Sequence, residues 1–160
     1  MADFVFNVAK GRVAELVSRV KSNDPVSSAL VVVALKSSGL ETDAVLKDYA
    51  DLGALLAAAN DEATNAGYAR KVLDDTAVGA TPVVVDNTND WVDVTIPNQT
   101  WSAVQAAGGN WGAILLCYDA DTTAGTDSNV VPLLKWDAAI TAEGTDIGFT
   151  VTAPGVYRAS

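Results

Sequence analysis

The residues best placed for chemistry lie between positions 119 and 130, where Asp119, Asp121 and Asp127 share a loop with Thr, Gly, Ser and Asn. Carboxylates at alternate positions are the ligands of calcium loops, where they converge on a hard cation. Asp119, Asp121 and Thr123 occupy the first three odd positions of an EF-hand pattern. The pattern then fails, because Ala124 stands where the glycine belongs and Val130 where the last glutamate belongs. A looser Ca²⁺ site on Asp119, Asp121 and Asp127 stays open. The plainer reading is a solvated turn, in which Asp and Asn side chains bond nearby backbone groups.

Other chemistries meet firmer limits. The chain has 0 histidines, which removes Ser-His-Asp triads, Cys-His pairs and histidine metal sites. Cys117 is the one cysteine. It sits inside the apolar run AILLCY, has no base to activate it, and reads as a small buried hydrophobe. Glycoside hydrolysis needs two acids across a cleft. Asp90 with Asp93 around Trp91, or Asp137 beside Trp136, are the only arrangements to name. The glycine-rich AAGG at 106–109 lacks the strand–GxGxxG–helix context of a nucleotide site. The expectation is a non-enzymatic chain without catalytic, cofactor-binding or metal-binding residues.

Trp91, Trp101 and Trp111 recur at intervals of ten, with Trp136 further on. Intervening turns reset the strand faces, so the interval need not align them. The run WVDVTI (91–96) alternates, with Val92, Val94 and Ile96 on one face and Trp91, Asp93 and Thr95 on the other. Trp91 therefore points outward, where a tryptophan suits a protein interface or a sugar platform. Burial beneath a loop is the equal alternative.

The elements that must hold these residues follow from periodicity. Val13, Leu16, Val17 and Val20 mark one face of a helix predicted over 8–21, ended by Asn23, Asp24 and Pro25. Phe4 and Phe6 precede it, either as core residues or as an arm that grips a neighbour. ALVVVAL (29–35) is apolar on both faces and reads as a buried central strand. Thr42 and Asp43 can open a helical stretch that Gly53 divides in two. YARKVL (68–73) turns extended. From residue 74 the period becomes two, with strands at 83–85, 91–96, 99–104, 113–118, 130–136, 147–151 and 156–158. Pro132 marks an edge, a bulge or a strand start. APG (153–155) is expected to form a type II turn.

The predicted class is α+β, mainly β: an N-terminal helix, a buried strand and short helices, then an antiparallel β-sandwich or open barrel. A chain of 160 residues suits a single domain over 1–160. Its helical and mixed part covers 1–73 and its all-β part 74–160. DDTAVGATP (74–82) is the best hinge candidate.

Charge is uneven. Residues 1–71 hold eight Lys/Arg and nine Asp/Glu, whereas residues 72–160 hold two and eleven, within a total of −10. The acidic half should repel nucleic-acid phosphates and anionic lipids, so neither nucleic acid nor membrane is an expected partner. The start MADFVFNVAKGRVAEL lacks the basic-then-apolar pattern of a signal peptide, and no apolar run is long enough to span a bilayer. Synthesis and folding in a cytoplasm are expected.

NDEATNAGYARKVL (60–73), VVVDNTNDWVDVTIPNQTW (83–101), AILLCYDADTTAGTDSNVVPLLKWD (113–137) and the terminal GVYRAS resemble a family of small tailed-bacteriophage structural proteins. Lys10, Gly11 and Arg12 match its lysine–glycine–arginine start. The resemblance covers nearly the whole chain, and its motifs carry no chemistry. It implies a virion component, most of all a capsid decoration (minor capsid) protein that binds the major capsid protein on an assembled head. A homo-oligomer, with a trimer among the options, suits virion symmetry. The near-neutral N-terminal third, with Phe4, Phe6, Lys10 and Arg12, is the expected capsid contact. Trp91 and Trp136 are the exposed-aromatic candidates. The alternative is a tail, neck or fibre-associated module, structural or glycan-binding.

Overall fold

The computed structural model describes residues 2–160. Strand β1 (Phe4–Val5) leads into a 3-10 turn (Asn7–Ala9), and helix α1 covers Val13–Lys21. The helix starts at the first residue of its apolar stripe and not at residue 8 as predicted, because Gly11 takes φ +77°, a left-handed conformation that no helix continues through. Val13, Leu16, Val17 and Val20 are all buried. Glu15 bridges Arg12 and Arg19 on the solvent face at 3.8 and 3.4 Å. Asn23, at φ +51°, ends the helix and accepts from the Ser27 amide.

Next come β2 (Ala29–Lys36), α2 (Asp43–Leu46), α3 (Leu52–Ala57) and β3 (Lys71–Leu73). The predicted division of the helical stretch is real, but Gly53 does not make it. The break lies at 47–51, where the Asp51 carboxylate caps α3 by accepting from the Ala54 amide at 2.7 Å. Gly53 sits inside α3 for a different reason. A Cβ there would lie 2.7 Å from Ser128 Oγ and 2.8 Å from Ser128 N, so a bare Cα lets a later loop close on the helix.

The remaining strands are β4 (Val83–Asp86), β5 (Trp91–Val94), β6 (Gln99–Val104), β7 (Trp111–Asp119), β8 (Val131–Ile140), β9 (Thr145–Phe149) and β10 (Tyr157–Ala159). They form three antiparallel sheets with the earlier strands, in the orders β1-β8-β7-β2-β3, β10-β5-β4 and β6-β9. The protein is α+β and mainly β. β-structure runs through both the 1–73 and the 74–160 parts. β2 lies between β3 and β7, in register Val31↔Cys117 and Val33↔Leu115, so the N-terminal part completes the main sheet. Every residue from Ala29 to Leu35 is buried, as a strand covered on both faces requires.

Register assigns the two faces. Val32, Leu116 and Leu134 share one face with Trp136, whose ring meets Phe149 of β9 at 4.9 Å. The β6–β9 ribbon therefore packs on that face at Trp136. Lys135 and Leu115 point to the opposite face, where Lys135 meets Asp43 of α2. Pro132 sits opposite Cys117, where the register slips between Leu116 and Cys117; it marks a bulge near the start of an interior strand.

Two other expectations change. Residues 74–82 are no hinge: Val78 is buried, Asp74 folds the segment by accepting from the amides of Thr76 and Ala77, and Lys21 donates to the Asp75 carbonyl. The APG turn runs from Thr152 to Gly155, so proline stands at the third turn position, where type II needs a positive φ that proline cannot adopt.

Candidate functional site

The acidic loop is the first candidate. Asp119 accepts from the Asp121 amide at 3.0 Å, and Asp121 accepts from the Thr123 amide and hydroxyl at 3.0 and 2.6 Å. These are side chain–backbone turns of the kind Asp favours. Asp127 is engaged elsewhere. Arg70 donates to its two oxygens at 2.5 and 2.9 Å, and to Glu62 from Nε and Nη2 at 2.9 and 2.6 Å. Tyr68 donates to the same Glu62 at 2.8 Å. The loose calcium arrangement is thus not assembled: among the described residues, no three acids, cysteines or histidines group to hold a metal.

Arg70 is a clamp. It joins the strand-leading segment at 62–70 to the 3-10 turn Asp127–Asn129, and so fixes the far end of the acidic loop. The hydrogen bonds that Arg70 donates to Asp127 and Glu62 push the guanidinium pKa up. The hydrogen bond from Arg70 holds the Asp127 carboxyl below its ordinary 3.8. A depressed folded-state pKa gives stability that is complete above the ordinary carboxyl value and lost as pH falls through the lower, folded value. Asp127→Asn is therefore expected to lower the urea midpoint at pH 7. The difference from the parent should shrink on acidification below about pH 4, where protonation removes the charge anyway. Equal midpoints at pH 7 would show that the clamp carries no stability.

Cys117 is fully buried, and desolvation pushes its thiol far above the ordinary value, so it is held as the neutral thiol. Of the paired carboxylates, Asp93 is taken by Arg158, and Asp137 pairs with Lys135.

Lys135 was not among the sequence candidates. It is 0% exposed, yet its ammonium donates to Asp43 Oδ1 at 3.0 Å, to Asp137, and to the Ala2 carbonyl at 3.4 Å. Asp43 also accepts from the Ala2 amide at 2.7 Å, and Asp3 accepts from the Asp137 amide at 2.9 Å. Burial works to raise the Asp43 pKa, but the Ala2 amide and the Lys135 ammonium outweigh it and hold the carboxyl low. This network ties the N-terminal segment to α2 and β8.

That tie changes the reading of the N-terminal contact. Phe6 is 0% exposed and offers no surface to a partner, which corrects its assignment as a contact residue. Phe4 is half-buried, packs edge-on to Phe6 at 5.1 Å and lies opposite Lys135 in the β1–β8 pair. Lys10 and Arg12 are exposed. The N-terminal segment is a strand of its own main sheet, not a free arm.

The tryptophans divide. Trp101 and Trp111 are buried in contact at 5.2 Å, with Nε1 donating to the Ala69 carbonyl and to Asn65 Oδ1 respectively. Trp136 is half-buried against Phe149. Trp91 is half-buried too, and the Arg158 guanidinium stacks 3.7 Å from its ring centre. Arg158 in turn makes a two-pronged bond to Asp93, directly opposite on the next strand, at 2.6 and 2.7 Å. The hydrogen bond from Arg158 lowers the Asp93 pKa, and the bond to Asp93 raises that of Arg158. Trp91, Asp93 and Arg158 thus form one pre-ordered patch on an outer face of β10-β5-β4. Alternation revealed Trp91 and Asp93. The available signal for Arg158 was scarcity, since it and Lys135 are the only cations after residue 72.

No family model, curated protein or solved structure matches the chain. Among the described residues, no helix is long and apolar enough to cross a membrane.

Proposed function

We propose that this chain is a non-enzymatic docking subunit of a tailed-bacteriophage virion, most specifically a capsid decoration protein that binds the major capsid protein on the assembled head. The Trp91–Arg158–Asp93 patch carries the docking part of this reading. Tryptophan and arginine dominate the energetics of protein interfaces. Here Trp91 is half-buried under an Arg158 that a carboxylate already fixes, which lowers the entropy lost on binding. The placement in a virion rests on the resemblance of the YAR segment, the 83–101 strands and the 113–137 strand–loop–strand to phage structural proteins.

On this reading the surface around Trp91 meets the shell, the chain works as a homo-oligomer on the capsid, and the acidic loop at 119–127 faces solvent. The direct test mixes purified protein with undecorated shells and sediments them. Co-sedimentation that Trp91→Ala abolishes supports the proposal, and a protein left wholly in the supernatant overturns it. Gold labelling of intact virions then separates head from tail: label on the tail would replace decoration by a neck or fibre role.

A further inference from the structure

We infer that the outer edge of β4 docks an extended, lysine- or arginine-rich segment of a partner protein, which adds to the β10-β5-β4 sheet as a fourth strand. The inference rests on reading the chain as a docking subunit and names the partner chemistry of one edge.

The hydrogen-bond register leaves that edge open. Thr95 donates to the Pro82 carbonyl at 2.8 Å, and β4 continues against β5 as Val84↔Asp93 and Asp86↔Trp91. In an antiparallel ladder bonded residues alternate, so Val84 and Asp86 bond to β5 while the N–H and C=O of Val83 and Val85 point away from it. β4 is the last strand in its sheet order. Its outward row thus offers two donors and two acceptors, the main-chain pattern that strand addition uses.

Side chains around the row are apolar and then acidic. Val84 and Val85 are 47% and 61% exposed. The turn that follows, DNTND, brings Asp86 and Asp90 to one end of the strand, and Lys21 of α1 stands beside the other end, bonded to the Asp75 carbonyl. Both cations of residues 72–160 are committed, Lys135 to Asp43 and Asp137 and Arg158 to Asp93. A second copy would bring two bodies of charge −10 together at their acidic side. A basic strand gains attraction at the same place.

The test uses the whole protein and two capped peptides, one alternating valine with lysine and the other valine with glutamate. The lysine peptide is expected to shift the Val83 and Val85 amide resonances and slow their exchange. Its affinity should fall about tenfold or more between about 50 and about 500 mM salt. Val85→Pro removes one outward N–H and no bond to β5, and should weaken binding about tenfold. Val84→Lys, which adds like charge at an exposed position, should weaken it too, and carries the comparison if the proline variant fails to fold. Equal binding of the glutamate peptide, or no binding of the lysine peptide, overturns the inference. So does self-association that Val85→Pro dissolves, because it gives the edge to a second copy. No shell is present in this experiment, so its failure stays distinct from failure of the decoration role.

Discussion

Lys135→Met is expected to destabilise the protein by about 3 kcal/mol, although methionine matches the volume and is the more hydrophobic residue. Removing one partner of a buried ion pair leaves the other charge without compensation, at a cost of about 3–5 kcal/mol. The lower end applies because Asp43 and Asp137 keep 28% and 32% side-chain exposure and so retain some water. The loss should appear first at the N-terminus. β1 has only two residues, and Ala2, Asp3 and Phe4 are held through Lys135, Asp43 and the Asp137 amide. Hydrogen exchange should therefore quicken at Phe6, whose amide bonds to the Leu133 carbonyl at 3.0 Å, before the centre of the sheet responds. A variant with the parent's urea midpoint would show that the two acids find other partners.

Gly155→Ala is the second large effect, and its cause is steric. Gly155 has φ +117°, and an added Cβ would lie 2.2 Å from the Val94 carbonyl oxygen. That oxygen accepts from the Val156 amide at 2.7 Å, the contact that starts β10 along β5. Either β10 leaves the sheet or Val94, which is fully buried, moves with its strand. The expected cost is about 3 kcal/mol or more, combining overpacking with left-handed strain. Loss of β10 also carries Arg158 away from Trp91, so tryptophan fluorescence should shift to the red before global unfolding. Gly109→Ala is the control: φ is +88°, but nothing lies within 4 Å, so only the conformational cost of about 1–2 kcal/mol applies. Similar losses in both variants would place the effect in the backbone angle and not in the collision.

Periodicity made much of this fold legible. The α1 stripe, the buried ALVVVAL strand and the alternation of WVDVTI each report a solvent-facing or core-facing direction, and sequence spacing encodes direction. Pairing is different, because it depends on residues far apart in the chain. Nothing local says that Ala29–Lys36 lies beside Trp111–Asp119, so the strands after residue 74 looked like a unit of their own. The same limit hid Lys135. Within the apolar run VVPLLKW it reads as an end-of-strand charge, and only α2, about ninety residues earlier, supplies the carboxylate that lets it be buried. Gly53 misled for a related reason: its low helix propensity is a local fact, whereas its close approach to Ser128 is a tertiary one. Trp91 was legible because exposure on a strand follows from alternation. Trp101 and Trp111 were not, because their indole N–H groups find acceptors in a loop 32 and 46 residues upstream.

The place of β2 in the main sheet also sets a timetable for synthesis. During translation Ala29–Lys36 emerges before both of its neighbours, and β3 can bond one of its edges once residue 73 is out. Its other edge waits for β7, which ends at residue 119. At about 5–20 residues per second the ribosome needs several seconds to deliver that partner. Throughout that interval the nascent chain displays a seven-residue, uncharged, valine-rich segment with one side unpaired, the composition that self-associates most readily. Slowing elongation between codons 36 and 119 should therefore lower the soluble yield more than the same delay placed after residue 140, and a host chaperone that covers extended apolar segments should restore it.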